Sequence, residues 1–313
     1  MNNTISRIKS EIDSFVEYLP IISTEDEGKF DDAISNFLIN IDDLSNELPE
    51  NRKELQKYCF DNCAHELEKG IIGPRCRQKP AGYAGDYLII DWLYTKQMET
   101  NGEGKLWDEF NHRQAAAKGV RSRKKYFCEV LSNLCQEKTY SPSVLNLASG
   151  PCRDVAEAIK ELNECAKGIH FHCVDIDKDA IDYGKKMVNN LRSVASFQWE
   201  INNVFKLRPF NQYDLVWVAG LFDYLNDRCA ISLLKKMISW IKPGGRIIFG
   251  NAHPSNPSLN YMEWCLDWSL IHRTTEEILS ICEQAGILRT KVSLEKEDQG
   301  VWIFANIDVG EAQ

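Results

Sequence analysis

The sequence predicts an α/β fold, a doubly wound and mostly parallel sheet that follows an N-terminal all-helical domain or lid. From about residue 140 onward, short apolar runs alternate with stretches of helical apolar spacing, the pattern of a parallel sheet with helices on both faces. Before that point, helical spacing prevails. With 313 residues, 43% of them hydrophobic, the chain can bury the core of one large domain and a helical attachment.

The first strand, turn and helix of the sheet region follow one another closely. Residues 144–147 form a short apolar strand, and the turn after it contains the small residues Ala148, Ser149 and Gly150. Small residues at this point let a ligand approach the backbone. The helix over residues 155–162 directs its first backbone amides toward such a ligand. This unit is typical of a site for a nucleotide-like ligand.

An acid follows the second predicted strand, residues 170–174. Asp175 stands at the carboxyl end of that strand, where a ribose-binding acid is expected after such a turn. An acid before a helical run is also a common N-cap, so Asp175 and Asp177 could merely begin the next helix. We assign the cap to Asp177, which precedes the helical run over residues 178–191, and the ribose to Asp175.

The next two strands end in groups suited to the same ligand. Residues 197–201 form a predicted strand followed by two asparagines, and the amide oxygen of the second, Asn203, can accept from the amino group of adenine. Residues 213–222 form the most apolar strand, which breaks at Ala219 and Gly220. These small residues let a ligand lie against the strand end.

The order and spacing of these segments resemble those of class I methyltransferases that use S-adenosylmethionine, over roughly residues 140–308. The motifs that carry the resemblance are NLASG, CVDID, EINN, DLVWVAGLFDYL and KPGGRIIFGN. It implies a Rossmann-like sheet of seven strands whose last pair, here 288–294 and 301–307, is a reversed hairpin. The family usually has glycine where this chain has Ala148 and Cys152, so we expect a slightly narrower cofactor pocket.

The resemblance implies S-adenosylmethionine as the cofactor and assigns a position to each of its parts. The implied positions are Asn146, Ala148 and Gly150 for the methionine moiety, with Ser149 in the same turn, Asp175 for the ribose, Ile176, Asn203 and Val204 for the adenine, and Ala219 and Gly220 for the sulfonium and the transferred methyl.

Helical stripes in the N-terminal part of the chain predict a separate domain. Apolar residues repeat at helical spacing over residues 5–19 and 30–44, and another long helical stretch covers residues 106–135. The simplest interpretation is that these apolar residues form the core between packed helices. We therefore place the helical domain and lid at residues 1–139 and the cofactor-binding domain at residues 140–313.

The segment of residues 70–94 differs from the stripes around it. Its glycines and prolines argue against a regular helix, yet it carries Tyr83 and Tyr87 among several charged residues. Pattern alone favours an active-site loop and a plain surface connection about equally. The string GYAGDY resembles the N-terminal signature of bacterial methyltransferases related to those that make 3-hydroxypalmitic acid methyl ester. That resemblance implies a catalytic role for Tyr83 and places Tyr87 in the cofactor site.

Two further segments supply candidates for the site. In the basic stretch before the first strand, Arg121 or Arg123 can bind a carboxylate through two parallel hydrogen bonds; we place Arg121 in the cofactor site and leave open which of the two faces it. Residues 251–273 form an insertion at the carboxyl end of the sheet, where substrates bind. We take His253 and Tyr261 there as catalytic candidates.

The insertion also contains Trp264 and Trp268, which we expect in the core. Its polar residues come closer to the strand end. Because a carboxylate nucleophile is already ionised and needs no base, only a hydroxyl substrate would require one. His253, Asp223 and Glu263 are the candidates for that base.

The expected reaction is O-methylation of a small or lipidic carboxylic or hydroxy acid, as the resemblance implies. A protein on the same scaffold can instead cyclise the cofactor, releasing methylthioadenosine and a cyclic amino acid. A third hypothesis is an inactive cofactor-binding scaffold, suggested by the reduced glycine content of the turn. Product analysis with and without an acid substrate separates the three.

Composition restricts partners and location. The formal charge of -9 argues against a nucleic-acid substrate. Eleven irregularly spaced cysteines indicate reduced thiols in a reducing, cytoplasmic compartment. We expect no metal, since Cys59, Cys63, His65 and Cys76 fit no common zinc spacing. No apolar run is long enough for a membrane span, and the sequence does not determine the oligomeric state.

Overall fold

A computed structural model describes residues 2–23, 26–99 and 101–310. Contacts divide the chain into two compact units. The helical unit comprises Met1–Ala117 and Pro257–Ser269, and the sheet unit comprises Lys118–Asn256 and Leu270–Gln313. By contacts, residues 118–139 therefore belong with the sheet and part of the predicted insertion belongs with the helices.

The helices of the described residues are α1 (Asn2–Ile22), α2 (Glu27–Ser45), α3 (Arg52–Asn62), α4 (Ala64–Leu67), α5 (Ile72–Gln78), α6 (Tyr87–Thr95), α7 (Gly102–Arg113), α8 (Ala115–Glu137), α9 (Arg153–Leu162), α10 (Lys178–Met187), α11 (Asp227–Trp240), α12 (Leu259–Cys265) and α13 (Thr275–Gln284). The strands are β1 (Ser143–Leu147), β2 (His170–Asp175), β3 (Ser196–Ile201), β4 (Tyr213–Val218), β5 (Ile241–Ala252), β6 (Val292–Lys296) and β7 (Trp302–Asp308).

The seven strands form one sheet in the order β3-β2-β1-β4-β5-β7-β6. The pairs among β1 to β5 are parallel, whereas β7 runs antiparallel to both β5 and β6. All six residues of β4 are buried, as expected for a central strand covered on both faces. The predicted doubly wound sheet with a reversed final hairpin is confirmed. Its parallel strands bring their carboxyl ends to one edge, the position of ligand sites in such folds.

The helical unit has an aromatic core. Phe30 on α2 meets Trp107 and Phe110 on α7 edge to face, with ring centroids 5.1 Å and 5.7 Å apart, and Phe110 meets Tyr261 on α12 at 4.9 Å. Edge-to-face pairs of this kind add to the stabilisation from burial. Trp264, also on α12, is fully buried, which confirms its predicted core role.

The expectation of no regular helix within residues 70–94 is wrong. Most of that segment belongs to α5 and α6, and the two residues before α5 and the stretch between the helices are irregular. The only proline in α5, Pro74, lies in the first turn, where a missing N–H is tolerated. The Asp108 carboxylate holds the start of α5 because it accepts from the backbone N–H groups of Ile71 and Ile72 at 3.0 to 3.1 Å.

The long helical stretch predicted over residues 106–135 is in fact two helices. α7 ends at Arg113, and α8 begins at Ala115 after Gln114, whose backbone leaves the helical conformation with ψ 142°. Apolar spacing continues through this break, so the sequence pattern alone does not reveal it.

Candidate functional site

The turn after β1 holds three residues in a left-handed backbone conformation. Ala148, Gly150 and Cys152 have φ angles of 49°, 51° and 52°. Residues with a Cβ rarely adopt this conformation, which explains why glycine is usual at such positions. Ser149 N–H donates to Val174 O at 3.1 Å and ties the turn to the end of β2. The turn is thus fixed between two strand ends.

Asp175 lies beside this turn and is 6% exposed. Gly150 N–H donates to its Oδ2 at 2.8 Å, and Asp177 N–H donates to its Oδ1 at 2.9 Å. Burial raises the pKa of Asp175 above its usual value, against the effect of these amides. Each carboxylate oxygen has a second lone pair, so the group can accept from two more donors. Asp177 accepts from Asp179 N–H at 2.8 Å, which confirms the predicted helix cap.

The space around the turn fits a ligand with an amino-acid end. A Cβ placed on Gly150 would meet no heavy atom within 4 Å, so open space lies directly against the backbone there. Asn146, at 2% exposure, has a buried Nδ2 without a hydrogen-bond partner among the described residues. A buried donor of this kind is costly unless a ligand or water accepts from it. The methionine carboxylate of S-adenosylmethionine is an acceptor of the required type.

The part of the site predicted to bind adenine is more apolar and less enclosed than the turn. Ile176 and Ile201, at the ends of β2 and β3, are 65% and 50% exposed. Val204 is buried. Asn203 Oδ1 already accepts from Phe205 N–H at 2.9 Å, so its second lone pair is the one left for a ligand. The two exposed isoleucines can cover the faces of a flat ring.

Arg123 on α8 reaches the end of β4. Its side chain is largely buried, with Nη1 3.5 Å from Ala219 O, and a Cβ on Gly220 would lie 3.2 Å from the same nitrogen. Its guanidinium carbon is 5.7 Å from the centre of the Trp302 ring. Arg121 is half-buried, and burial lowers the pKa of its guanidinium. The structure therefore brings Arg123 to the predicted position of the cofactor.

Two buried acids near Arg123 have perturbed pKa values. Burial raises the pKa of Asp223 to about 6 and also raises the pKa of Asp154, while Arg123 acts in the opposite direction on both. Asp154 Oδ2 accepts from Trp217 Nε1 at 3.3 Å. Sequence reasoning named Asp223 only as a candidate base and missed Asp154 and Trp302. The signal of the two acids, a position soon after a glycine turn or a strand end, also fits a simple helix cap.

His253 lies just beyond β5 in the sheet unit. Its backbone N–H donates to Val301 O at 2.8 Å, and Ser255 N–H donates to its Nδ1 at 3.2 Å. Since a backbone N–H can only donate, Nδ1 is the acceptor and the neutral ring carries its proton on Nε2. Burial lowers the pKa of His253, with a smaller effect from Lys296. At neutral pH this ring is a hydrogen-bond donor through Nε2.

The other sequence candidates belong to the helical unit. Tyr83 and Tyr87 are half-buried, at and just after the irregular stretch between α5 and α6. Tyr261 is 4% exposed, and its hydroxyl donates to Asn111 Oδ1 at 3.1 Å. Burial holds the pKa of Tyr261 well above its usual value. Glu263 accepts from Gln56 Nε2 at 3.1 Å within the same unit.

The described parts of the chain contain neither a metal-binding group of side chains nor a helix suited to cross a membrane. The side chains there form no group of three or more His, Cys, Asp or Glu residues arranged to hold a metal ion. Cys59 and Cys63 lie with their sulfurs 3.9 Å apart, and the cysteines are free thiols. None of the described helices combines the length and apolar character that a membrane crossing needs.

One family model matches part of the sheet region. A family model described as "Methyltransferase domain" matches residues 145–247. That segment contains the turn, Asp175 and the end of β4, and S-adenosylmethionine is the cofactor of such domains. No curated protein sequence matches significantly.

Three solved structures are similar to this chain, and the first of them shares its fold. A possible exported protein from Bordetella parapertussis has a TM-score of 0.62 at 17% identity, over 79% of this chain and 88% of that one. Magnesium protoporphyrin IX methyltransferase from Synechocystis PCC 6803, with bound SAH, has a TM-score of 0.49 at 11% identity, over 71% and 97%. N-methyltransferase NodS from Bradyrhizobium japonicum WM9, with S-adenosyl-L-homocysteine, has a TM-score of 0.43 at 13% identity, over 60% and 87%.

Proposed function

We propose that this protein transfers a methyl group from S-adenosylmethionine to an oxygen of a small or lipidic carboxylic or hydroxy acid. The observation that carries the proposal is the cradle formed by the turn of residues 148–152 and the Asp175 carboxylate. There, backbone amides, a buried acid and open space at Gly150 meet at the carboxyl edge of the sheet. The matched methyltransferase domain covers this cradle.

Different residues of the sheet unit bind different parts of the cofactor. Asp175 accepts from the ribose hydroxyls through its remaining lone pairs, and Asn146 Nδ2 and the Arg123 guanidinium bind the methionine carboxylate. Ile176 covers the adenine. When bound, the cofactor supplies a methyl group activated by a sulfonium. The protein's main task is then to orient the acceptor oxygen and exclude water.

The state of His253 supports a carboxylate as the acceptor. A hydroxyl acceptor needs a base, but the proton on Nε2 makes neutral His253 a donor and not a base at that nitrogen. A carboxylate is already ionised and can accept from that Nε2–H with one oxygen while the other attacks the methyl. The product is then a methyl ester. The GYAGDY resemblance to enzymes related to ester formation agrees with this choice.

The test is a product analysis by mass spectrometry. The protein is incubated with S-adenosylmethionine alone and with a series of straight-chain carboxylic and 3-hydroxy acids. Formation of S-adenosylhomocysteine and a base-labile methyl ester only when an acid is present supports the proposal. A base-stable methyl ether would assign the hydroxyl as the acceptor.

Two other outcomes would overturn the proposal. Methylthioadenosine formed without any acid would establish cyclisation of the cofactor. Neither product would favour an inactive scaffold, and calorimetry would then show whether that scaffold still binds the cofactor. The Asp175→Ala variant serves as the control, because product formation at a limiting cofactor concentration should fall with its weaker cofactor binding if the product comes from this cradle.

A further inference from the structure

One buried guanidinium at the carboxyl edge of the sheet acts electrostatically on two buried carboxyl groups. Arg123, Asp154 and Asp223 are 7%, 7% and 3% exposed. The charge of Arg123 lowers the pKa of both acids, against the larger effect of burial. With both acids ionised the three groups carry one net negative charge. This net charge therefore disfavours the binding of another anion.

Asp223 is held in place from two sides. Ala252 N–H donates to its Oδ1 at 2.5 Å, and Trp302 Nε1 donates to its Oδ2 at 3.3 Å. The face of the same indole lies toward Arg123. A Cβ on Gly119 would come within 2.6 Å of the indole ring, so α8 packs tightly against it. The carboxyl, the indole and the guanidinium thus form one connected group.

The charged and titratable neighbours of this group come from several elements. Arg123 on α8 and Arg273, next to α13, both favour the ionised form of Asp223. The charge of Arg123 also favours the ionised form of Asp154 on α9. Glu297 accepts from the Trp302 backbone N–H at 3.2 Å. Burial raises the pKa of Asp223 to about 6, which brings its titration close to neutral pH.

We propose that Asp223 takes up a proton when a carboxylate ligand pairs with Arg123. The ligand carboxylate then shares the guanidinium with a neutral acid instead of an anion, because two like charges at one cation disfavour each other. The proton comes from solvent and adds to one Asp223 oxygen, with no other bond changed. The inference rests on the proposed function only for the identity of the ligand, the methionine carboxylate of the cofactor.

The sign of the linkage follows from the repulsion. A bound carboxylate raises the pKa of Asp223, so binding takes up protons and affinity increases as the pH falls from 8 toward 6. A rise of one unit from a pKa of about 6 gives an uptake of about half a proton per ligand at pH 6.5. A purely structural role for Asp223 would change affinity or stability without changing the number of protons.

The experiment is calorimetry of S-adenosylhomocysteine binding at pH 6.5 in buffers of different ionisation enthalpy. We expect uptake of about half a proton in the wild type and none in Asp223→Asn. Asp214→Asn is the matched control, because Asp214 is an equally buried acid at the opposite end of β4, and its uptake should equal that of the wild type. Zero uptake or proton release in the wild type would overturn the inference.

Further variants and an NMR titration distinguish the remaining outcomes. Loss of the uptake in Asp154→Asn but not in Asp223→Asn would assign the proton to the other acid and refute the proposal. In the free protein, the indole NMR signal of Trp302, assigned with Trp302→Phe, should titrate near pH 6 and be flat in Asp223→Asn. A flat wild-type signal refutes the role of Asp223. Absence of ligand binding with normal indole titration refutes the proposed function instead.

Discussion

Replacing Gly150 with alanine distinguishes the effect of this residue on protein stability from its effect on cofactor binding. Gly150 has a φ of 51°, and its added methyl would meet no heavy atom within 4 Å. In the free protein the only cost is therefore backbone strain, about 1–2 kcal/mol for a residue with a Cβ in this conformation. With cofactor present, the methyl occupies the space against which the ligand lies.

The matched control is Gly286→Ala. Gly286 has a φ of 94° and equally open surroundings, but it follows α13, away from the residues of the cradle. Both variants should lose a similar 1–2 kcal/mol of unfolding free energy in urea denaturation. Calorimetry with S-adenosylhomocysteine should show a Kd at least about tenfold higher for Gly150→Ala alone, or 1.4 kcal/mol. Wild-type affinity in Gly150→Ala would refute the placement of the cofactor.

Three other substitutions test the structure around the site. Ala148→Gly relieves the left-handed strain and should stabilise the protein by about 0.5–1 kcal/mol in urea denaturation; a loss of stability would contradict the strain. Arg273→Met leaves carbonyl acceptors near Asp223 unpaired and should cost roughly 3–5 kcal/mol, whereas a cost below 1 kcal/mol would show a replaceable contact. Burial alone would raise the pKa of Asp214, but the Lys242 ammonium and hydrogen-bond donors lower it, so its ionised form stabilises the fold above about pH 4 and this contribution disappears on acidification. Asp214→Asn should therefore flatten the stability profile between about pH 5 and 2, and an unchanged profile would contradict this pairing.

The sheet could be predicted from the sequence because its signals are local. Strand and helix periods alternate, and each strand end carries its polar residue within a few positions. The position of Asp175 beside the turn at Gly150 could be predicted because both the strand before Asp175 and the turn are short-range features. The cap at Asp177 follows from the same local logic.

The choice between Arg121 and Arg123 could not be made from sequence. Two residues apart, they lie on nearly opposite faces of α8, since a helix has 3.6 residues per turn. Which face meets β4 is decided by packing against Trp302, which stands far along the chain. The helix α5 was hidden for a similar reason, because Asp108, the partner of the backbone amides at its start, comes much later in the sequence.

Calorimetric titration of S-adenosylhomocysteine into the wild type, Asp175→Ala and Asp177→Ala tests the central assignment of the cofactor cradle most directly. The wild type should bind, and Asp175→Ala should bind roughly 100-fold more weakly because two hydrogen bonds to a charged acceptor are lost. Asp177→Ala should keep its affinity while losing about 1 kcal/mol of stability with its helix cap. Equal affinity in the wild type and Asp175→Ala, or no binding by the wild type, would contradict the account.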